Sequence, residues 1–257
     1  MSGLSVLVEE GIARVVFDRP NVLNALSPSL LNDLIETCAD LGRDHSVRIV
    51  VLEGAGSCFS AGADLPAFLS LLTGPDARDT ADLGRRATNA IAGLPQITVA
   101  GIRGHCVGGG LVLAGACDVR IAADDTRFVI PELDAGIPLA WGGMEHLIRL
   151  LGETLAADLV LSCRPFGAVE ALRAGLISRV EPADRLDNEL AELTTAIARK
   201  PLSVLRTTKQ QLIAVRAGTF DAHGDADALL AALKDPEAQE VGRQYIATRI
   251  RNGPPRP

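Results

Sequence analysis

The sequence has 257 residues, 47% of them hydrophobic, which is enough for one large domain or two small ones with a buried core. A net charge of −7 and an aromatic share of 3% exclude the basic patch and stacking surfaces that nucleic-acid binding requires. The five cysteines are odd in number and lack CxxC spacing, and histidines are few, so we expect reduced thiols and no metal site.

The N-terminal part of the sequence predicts a hairpin followed by a helix. It lacks the pattern of a signal peptide, and no window is long and apolar enough to span a membrane, so we expect a cytoplasmic protein. Two β-rich runs, 6–8 and 12–17, flank a polar turn and predict the hairpin. Ser27 and Pro28 supply an N-cap and a first-turn proline, and apolar residues at helical spacing continue this helix to about Leu41.

The middle of the sequence alternates strands with helices. Runs 47–52, 98–102 and 118–122 predict buried strands, and a helix is predicted over 82–92. This order predicts parallel strands with helices outside the sheet. The polar segment 70–82, which contains Gly74 and Pro75, predicts a mobile surface segment near any cleft.

The last part of the sequence is predominantly helical. Helices are predicted over 145–151, 154–162 and 167–174, and a short strand over 177–180. From residue 184 onward the pattern is almost wholly helical, with breaks at Pro201, Gly218 and Pro236, and we expect the proline-rich tail to be frayed.

Two glycine-containing loops follow predicted strands and are the candidates for a functional site. One is the small-residue loop 53–65, and the other is the triplet Gly108 to Gly110, which opens a helix whose first N–H groups lack intrahelical partners. The carboxyl ends of parallel strands lie at one edge of a sheet, so the two loops could converge there. Serine and lysine are absent from 103–118, which argues against a hydrolase elbow or a P-loop, and Cys106 is more typical of core packing than of a nucleophile.

Across nearly its whole length the sequence resembles the crotonase superfamily, the enoyl-CoA hydratases and isomerases. Each motif alone is weak, but their joint order and spacing are specific. The matching motifs are Asn24-Ala25-Leu26, Phe59-Ser60-Ala61-Gly62-Ala63-Asp64-Leu65, Gly108-Gly109-Gly110 with Cys117-Asp118, Phe128 with Pro131-Glu132, and Trp141-Gly142-Gly143.

The resemblance implies an α/β fold with a crotonase-like ββα spiral core at residues 1–200. A helical C-terminal region at 201–257 would mediate assembly into a homotrimer or a hexamer, and Leu229, Leu230 and Leu233 form an amphipathic run there. It also implies an acyl-CoA thioester as substrate, with no cofactor beyond the coenzyme A that the substrate carries. We expect no nucleic acid and no membrane among the partners.

The resemblance assigns roles to particular positions. The backbone N–H groups of Ala63 and Gly109, beside Gly108, would form an oxyanion hole for the thioester carbonyl, which agrees with the free N–H groups expected at the glycine turn. Main chain around two loops would hold the adenine end of coenzyme A, and the matched positions are Ala25, Leu26, Ala61, Asp64 and Leu65. For the Asp64 side chain, a helix N-cap is at least as good an explanation as a ligand role.

The catalytic carboxylates are where the sequence departs from the hydratase pattern. Hydratases carry one glutamate two residues after the glycine triplet and another in the Pro-Glu pair; here Val112 occupies the first position and only Glu132 is kept. A glutamate in an apolar pocket has a raised pKa that suits proton transfer. The structural alternative is that Glu132 caps a helix or forms a salt bridge.

Five other side chains have structural explanations beside functional ones. Trp141 could line the acyl pocket or belong to the core. Asp134 suits a solvated loop and His105 a structural position, Asp118 is expected to bind backbone, and Glu145 is expected to interact with a helix dipole.

We therefore interpret the sequence as an enzyme that stabilises a thioester enolate, with Glu132 as its acid and base. The favoured reaction is the isomerisation of 3-enoyl-CoA to 2-enoyl-CoA. The alternatives are a 2-enoyl-CoA hydratase of fatty-acid β-oxidation and a catalytically silent acyl-CoA-binding protein.

Overall fold

The computed structural model describes residues 3–252, with side chains up to residue 248. Its nine described strands are β1 (Leu4–Glu9), β2 (Ile12–Phe17), β3 (Ile49–Gly54), β4 (Ile97–Ile102), β5 (His105–Val107), β6 (Val119–Ala123), β7 (Arg127–Val129), β8 (Phe166–Gly167) and β9 (Arg179–Glu181). The described α-helices are α1 (Pro28–Arg43), α2 (Leu65–Leu71), α3 (Ala77–Ala92), α4 (Gly109–Ala116), α5 (Gly143–Leu151), α6 (Glu153–Ser162), α7 (Ala168–Arg173), α8 (Leu186–Ala198), α9 (Leu202–Arg216), α10 (Asp225–Lys234) and α11 (Pro236–Asn252).

The main sheet has six strands in the order β1-β2-β3-β4-β6-β9. β1 and β2 pair antiparallel, which confirms the predicted hairpin, and every later neighbour pair in this sheet is parallel, as the alternation of strands and helices predicts. Every residue of β3 and of β4 is buried, because helices cover both faces of a parallel sheet.

Two apolar clusters lie on the two faces of the sheet. The larger contains residues of α1, α3 and α4. The smaller contains Val51, Val99 and Ile121 of the sheet together with Leu190 of α8 and Leu205 of α9. Helix α1 begins as predicted, since Ser27 Oγ accepts a hydrogen bond from the N–H of Leu30 and Pro28 occupies the first turn.

The segment 70–82 is largely exposed, as its polar composition predicts, and much of it is helical; its mobility stays a prediction. Helix α2 ends at Leu71 and α3 begins at Ala77, five residues before the predicted start. The buried side of α3 includes Thr80 and Gly84, which are small or polar, so hydropathy does not reveal that side. The expected nearness to a cleft is correct, because Leu72 and Ala81 line the cavity described below.

Other boundaries differ by a few residues, and one sheet was not predicted. The strand expected at 177–180 lies at Arg179–Glu181, because Ile177 is buried in the larger cluster and precedes the ladder. A second sheet of order β5-β7-β8 was missed, since its strands have only two or three residues and carry no measurable periodicity.

The helical C-terminal part follows the predicted breaks. α8 ends before Pro201, α9 ends before Gly218, and α11 begins at Pro236. The division at residue 200 stays a prediction, and the proline-rich tail lies outside the described residues. Among residues 3–252, no helix has the length and apolar character needed to cross a membrane.

Candidate active site

The two glycine-containing loops lie side by side, as predicted. Ser60 forms a parallel bridge with Cys106, and its Oγ accepts a hydrogen bond from the N–H of Gly62 at 3.1 Å. A Cβ added to Gly110 would lie 2.8 Å from Cβ of Ser60, and one added to Gly62 would lie 3.0 Å from a backbone oxygen in the glycine turn. Small residues are therefore needed where the two loops touch.

Gly108 brings the turn next to the carboxyl group of Glu132. Its φ of +46° is a conformation that side chains disfavour, and a Cβ on Gly108 would lie 2.5 Å from Oε1 of Glu132. The backbone conformation thus favours glycine here, and the missing side chain leaves room for the carboxylate of Glu132.

Two residues of the two loops line the same cavity and have backbone N–H groups without a partner among the described residues. Ala63 and Gly109 both line it, and neither N–H has a hydrogen-bond acceptor within the described part of the chain. Gly109 is the first residue of α4, where the N–H groups lack intrahelical partners and the positive end of the helix dipole lies. An oxygen atom that carries negative charge would be stabilised between such donors.

The cavity has a volume of about 200 Å³ and is almost entirely apolar. It lies among α2, α3, α4 and the segment that precedes α5. The lining residues are Ala63, Leu65, Phe68, Leu72, Ala81, Gly109, Val112, Glu132, Ile137, Pro138, Leu139, Ala140 and Trp141. Of these described residues, Glu132 is the one with an ionisable side chain.

Glu132 is a half-buried carboxylic acid for which the described residues provide no counter-charge. Its Oε2 is buried and has no hydrogen-bond partner, and the side chain takes part in no ion pair among the described residues. Burial raises the pKa of Glu132 above its ordinary value, and a hydrogen bond to the residue's own backbone opposes this only in part. The salt-bridge explanation of Glu132 therefore finds no partner in this structure.

The indole of Trp141 packs against a glycine in α3 and a glycine in α4. A Cβ added to Gly84 of α3 would lie 1.9 Å from the fused bond of the indole, and one added to Gly109 would lie 2.1 Å from its six-membered ring. The φ of Trp141 is +60°, a conformation that costs a bulky residue about 1–3 kcal/mol and persists only where surrounding contacts enforce it. Trp141 thus lines the pocket and also packs on the core, so both explanations given above apply.

The residues assigned to coenzyme A lie together in two interlocked loops. The N–H of Leu26 donates to Gly62 O at 2.8 Å, the N–H of Asp64 donates to Leu26 O at 3.0 Å, and the N–H of Ala61 donates to Leu23 O at 2.9 Å. Leu26 is fully buried and both of its backbone polar groups bond to the other loop, so it supports the loop rather than exposing an atom to a ligand, whereas Leu65 is 43% exposed.

Arg19, which the sequence analysis did not single out, ties these loops together. Its Nη1 donates to Ala25 O at 2.6 Å and to Asp64 Oδ2 at 3.0 Å. Asp64 also accepts a hydrogen bond from the N–H of Ala67 and caps α2, so its side chain has the structural role that was the alternative to a ligand role.

Three of the remaining candidates lie away from the cavity lining. Asp134 is exposed, and Glu145 is exposed in the first turn of α5, where it complements the helix dipole as expected. His105 is exposed in β5, and its backbone oxygen accepts a hydrogen bond from the N–H of Ser60. Cys106 is completely buried, which raises the pKa of its thiol well above the usual value and fits core packing.

Asp118 binds backbone as expected, but it is also the centre of an ion-pair cluster that the sequence analysis missed. Its Oδ2 accepts hydrogen bonds from the N–H of Thr98 at 2.8 Å and from Nζ of Lys209 at 2.7 Å. Its Oδ1 accepts one from Arg216 at 2.7 Å, and Lys209 is completely buried. We call Asp118, Lys209 and Arg216 the Asp118 cluster; it fixes α9 to the sheet.

The sequence model that describes enoyl-CoA hydratases and isomerases matches residues 8–239. The chain belongs to the enoyl-CoA hydratase/isomerase family. It is 36% identical over 208 residues to a probable enoyl-CoA hydratase of Mycobacterium tuberculosis, which is 80% of each chain. It is also 32% identical over 218 residues to the human mitochondrial Delta(3,5)-Delta(2,4)-dienoyl-CoA isomerase, which is 80% of this chain and 66% of that protein.

The solved structures of this family agree with the fold. A putative enoyl-CoA hydratase from Thermobifida fusca, solved in complex with acetoacetyl-CoA, superposes with a TM-score of 0.83 at 28% identity and covers 90% of this chain and 95% of its own. The resemblance to the crotonase superfamily and the fold class that it implies are thereby confirmed, whereas trimerisation stays a prediction.

Within this family, the position of the missing hydratase glutamate is part of the cavity wall. Val112 is buried and lines the cavity, and a Cβ on Gly143 would lie 2.7 Å from its Cγ2. The described residues provide no second ionisable group on the wall that could divide acid and base work with Glu132.

Sequence reasoning missed several residues of the wall. Phe68, Leu72 and Ala81 come from helices in or beside the segment that was expected to be mobile, and residues 137–140 come from an irregular segment. The sequence did not indicate a role for Gly84, because a lone glycine inside a predicted helix usually indicates only that the helix is less stable there. In the described part of the chain, no group of three or more His, Cys, Asp or Glu side chains could hold a metal ion.

Proposed function

We propose that this protein isomerises 3-enoyl-CoA thioesters to 2-enoyl-CoA thioesters with Glu132 as its sole acid and base. The observation that carries the proposal is that, among the described residues, one ionisable side chain lines an otherwise apolar cavity, beside two backbone N–H groups without a partner. Membership of the enoyl-CoA hydratase/isomerase family supports an acyl-CoA substrate, as does the acetoacetyl-CoA complex of the Thermobifida fusca relative.

The N–H groups of Ala63 and Gly109 would bind the thioester oxygen. Their hydrogen bonds strengthen as that oxygen gains negative charge, so they lower the energy of the enolate more than that of the ground state. Removing one donor of this kind typically costs about 10²–10³ in rate.

Glu132 would then move one proton between two carbons of the acyl group. Its carboxylate takes a proton from C2, and the electron pair delocalises onto the thioester oxygen as a dienolate. The same carboxyl group returns the proton at C4 while the oxygen regains its double bond to C1 and the carbon–carbon double bond forms between C2 and C3. The raised pKa of Glu132 suits both steps, because the acid form is easily reached.

The backbone around Ala25, Leu26, Ala61, Asp64 and Leu65 would hold the adenine end of coenzyme A. The hydrogen bonds between the two loops support this role, because they hold the loop backbone in one conformation to which a ligand could bind. The reaction needs no resident cofactor, because coenzyme A is part of the substrate.

Hydration of 2-enoyl-CoA is the second candidate, because the Mycobacterium tuberculosis relative is named a probable hydratase. Hydration needs water activated at one carbon and a proton delivered at the other, and Val112 removes the second carboxylate that divides this work. We therefore expect isomerisation to exceed hydration by at least about tenfold, a bound set below the ~10²–10⁴ that a positioned acid or base contributes.

The test compares turnover of 3-hexenoyl-CoA with turnover of crotonyl-CoA by the wild type and by Val112→Glu. We expect the wild type to isomerise and the variant to gain hydration. Efficient hydration by the wild type that Val112→Glu leaves unchanged would contradict the single-base proposal, and binding without turnover of either ester would favour a silent acyl-CoA-binding protein.

We also propose that the protein assembles into a homotrimer or a dimer of trimers. Leu229, Leu230 and Leu233 of α10 are between 54% and 61% exposed, a row of apolar side chains that a partner subunit would cover. Light scattering at micromolar concentration should give a mass of three or six chains, and a monomer would refute the proposal.

A further inference from the structure

The indole of Trp141 fills a gap between two helices at the acyl cavity. Gly84 of α3 and Gly109 of α4 have no side chains where the ring lies against them, and a methyl group at either position would meet the ring at about 2 Å. An aromatic ring cannot bend away as the end of a flexible chain can. The gap and the ring are therefore matched in shape. A larger residue at either glycine would collide with the indole, and a smaller residue at position 141 would leave the gap empty.

The ring is also held from outside the gap. Its centroid lies 6.0 Å from that of Phe68 in α2, and its left-handed backbone is followed by Gly142 with φ of +76°. Contacts on several sides enforce a backbone conformation that a bulky residue rarely adopts. Trp141 is consequently a fixed part of the cavity wall in this structure.

The volume that Trp141 leaves free limits the acyl group. A protein cavity of about 150 Å³ holds benzene, so about 200 Å³ has room for roughly six to eight carbon atoms. Without the indole, the cavity would continue toward Gly84 between α3 and α4. Each further methylene that finds an apolar site is worth about fourfold in affinity, whereas a chain too long for the cavity clashes with its wall and therefore binds more weakly.

We propose that Trp141 is the specificity-determining residue that restricts this enzyme to acyl groups of about six to eight carbons or fewer, by closing the gap between Gly84 and Gly109. The inference rests on the proposed function, because it takes the cavity to be the acyl site. It adds the substrate class, which is short-chain acyl-CoA, and the residue that sets it.

Trp141 is the single tryptophan of the chain and therefore reports on its own surroundings. The wild type would be titrated with butyryl-, hexanoyl-, octanoyl- and dodecanoyl-CoA, with binding followed by tryptophan fluorescence and by calorimetry. Saturated esters separate binding from turnover. We expect butyryl- and hexanoyl-CoA to shift the emission and dodecanoyl-CoA to bind at least about tenfold more weakly than hexanoyl-CoA, a difference of about 1.4 kcal/mol.

Trp141→Ala should remove this preference. Calorimetry should then show that the variant binds dodecanoyl-CoA at least about as tightly as hexanoyl-CoA. Trp141→Phe keeps an aromatic ring but leaves part of the gap open, so it should give an intermediate preference even if the alanine variant does not fold. Gly84→Ala should move the indole, and so change both the emission and the length preference without touching residue 141. The matched control is Leu69→Ala, which removes a 64% exposed side chain from α2 and should leave the preference unchanged.

The outcomes separate the two proposals. Equal affinity for all acyl lengths in the wild type, or an unchanged length preference in both Trp141 variants, would overturn the proposed role of Trp141 and leave the proposed function standing. Failure of the wild type to bind any acyl-CoA would overturn the proposed function, and this inference with it.

Discussion

Glu132 and Asp118 both have buried carboxylate oxygens, and they differ in what surrounds them. Asp118 is met by Lys209, Arg216 and the N–H of Thr98, so its charge is neutralised within hydrogen-bond distance. Glu132 lies against glycine and apolar side chains, and its Oε2 has no hydrogen-bond partner within the described residues.

The two environments move the pKa values in opposite directions. Burial raises the pKa of Glu132. Burial acts on Asp118 in the same sense, but Lys209, Thr98 and Arg216 together outweigh it and hold the pKa of Asp118 below its ordinary value. The structure thus keeps one carboxylate as a permanent anion that stabilises the fold and leaves the other free to gain and lose a proton.

The largest effect on folding is expected from Asp118→Asn. This change leaves the completely buried Lys209 without its counter-charge, and breaking a buried pair in this way costs about 3–5 kcal/mol of unfolding free energy. Urea denaturation would measure it. The control is Asp40→Asn, which removes the partner of Arg43 in a pair where both side chains are 75% exposed and should cost at most about 1 kcal/mol. A loss as small as that of the control would contradict the contrast between the two carboxylates.

A smaller effect of opposite sign is expected from Glu132→Gln. Folding raises the pKa of Glu132, so the folded state loses stability as the pH rises from the pKa of the unfolded state through that of the folded state. Glutamine cannot ionise, and we therefore expect the variant to be at least as stable as the wild type at pH 7.

The pH dependence of stability extends this comparison. Asp118 has a lowered pKa, so its contribution is present above its ordinary pKa and is lost as the pH falls through the lowered value. Denaturation of the wild type and both variants between pH 3 and pH 7 would measure these signs. A Glu132→Gln variant that is much less stable than the wild type at pH 7 would show that Glu132 has a structural partner.

The comparison also explains what the sequence could predict. The parallel strands, the glycine turn and Glu132 follow from local patterns and from the order of the motifs. The Asp118 cluster does not, because Lys209 and Arg216 are 91 and 98 residues away in the chain and each fits an ordinary helix surface pattern. The role of Gly84 could not be predicted either, since only the packing of the helices brings Trp141 into contact with it.

In the proposed reaction, Glu132 alone removes the C2 proton of a bound 3-enoyl-CoA. The most direct test follows single turnovers of 3-hexenoyl-CoA, unlabelled or dideuterated at C2, by the wild type, by Glu132→Gln and by the exposed control Asp134→Asn, with hexanoyl-CoA binding measured in parallel. We predict a primary isotope effect in the wild type and in the control, and a rate lowered by about 10²–10⁴ in Glu132→Gln with ester binding largely intact. Isomerisation by Glu132→Gln at the wild-type rate, with the isotope effect unchanged, would contradict the account.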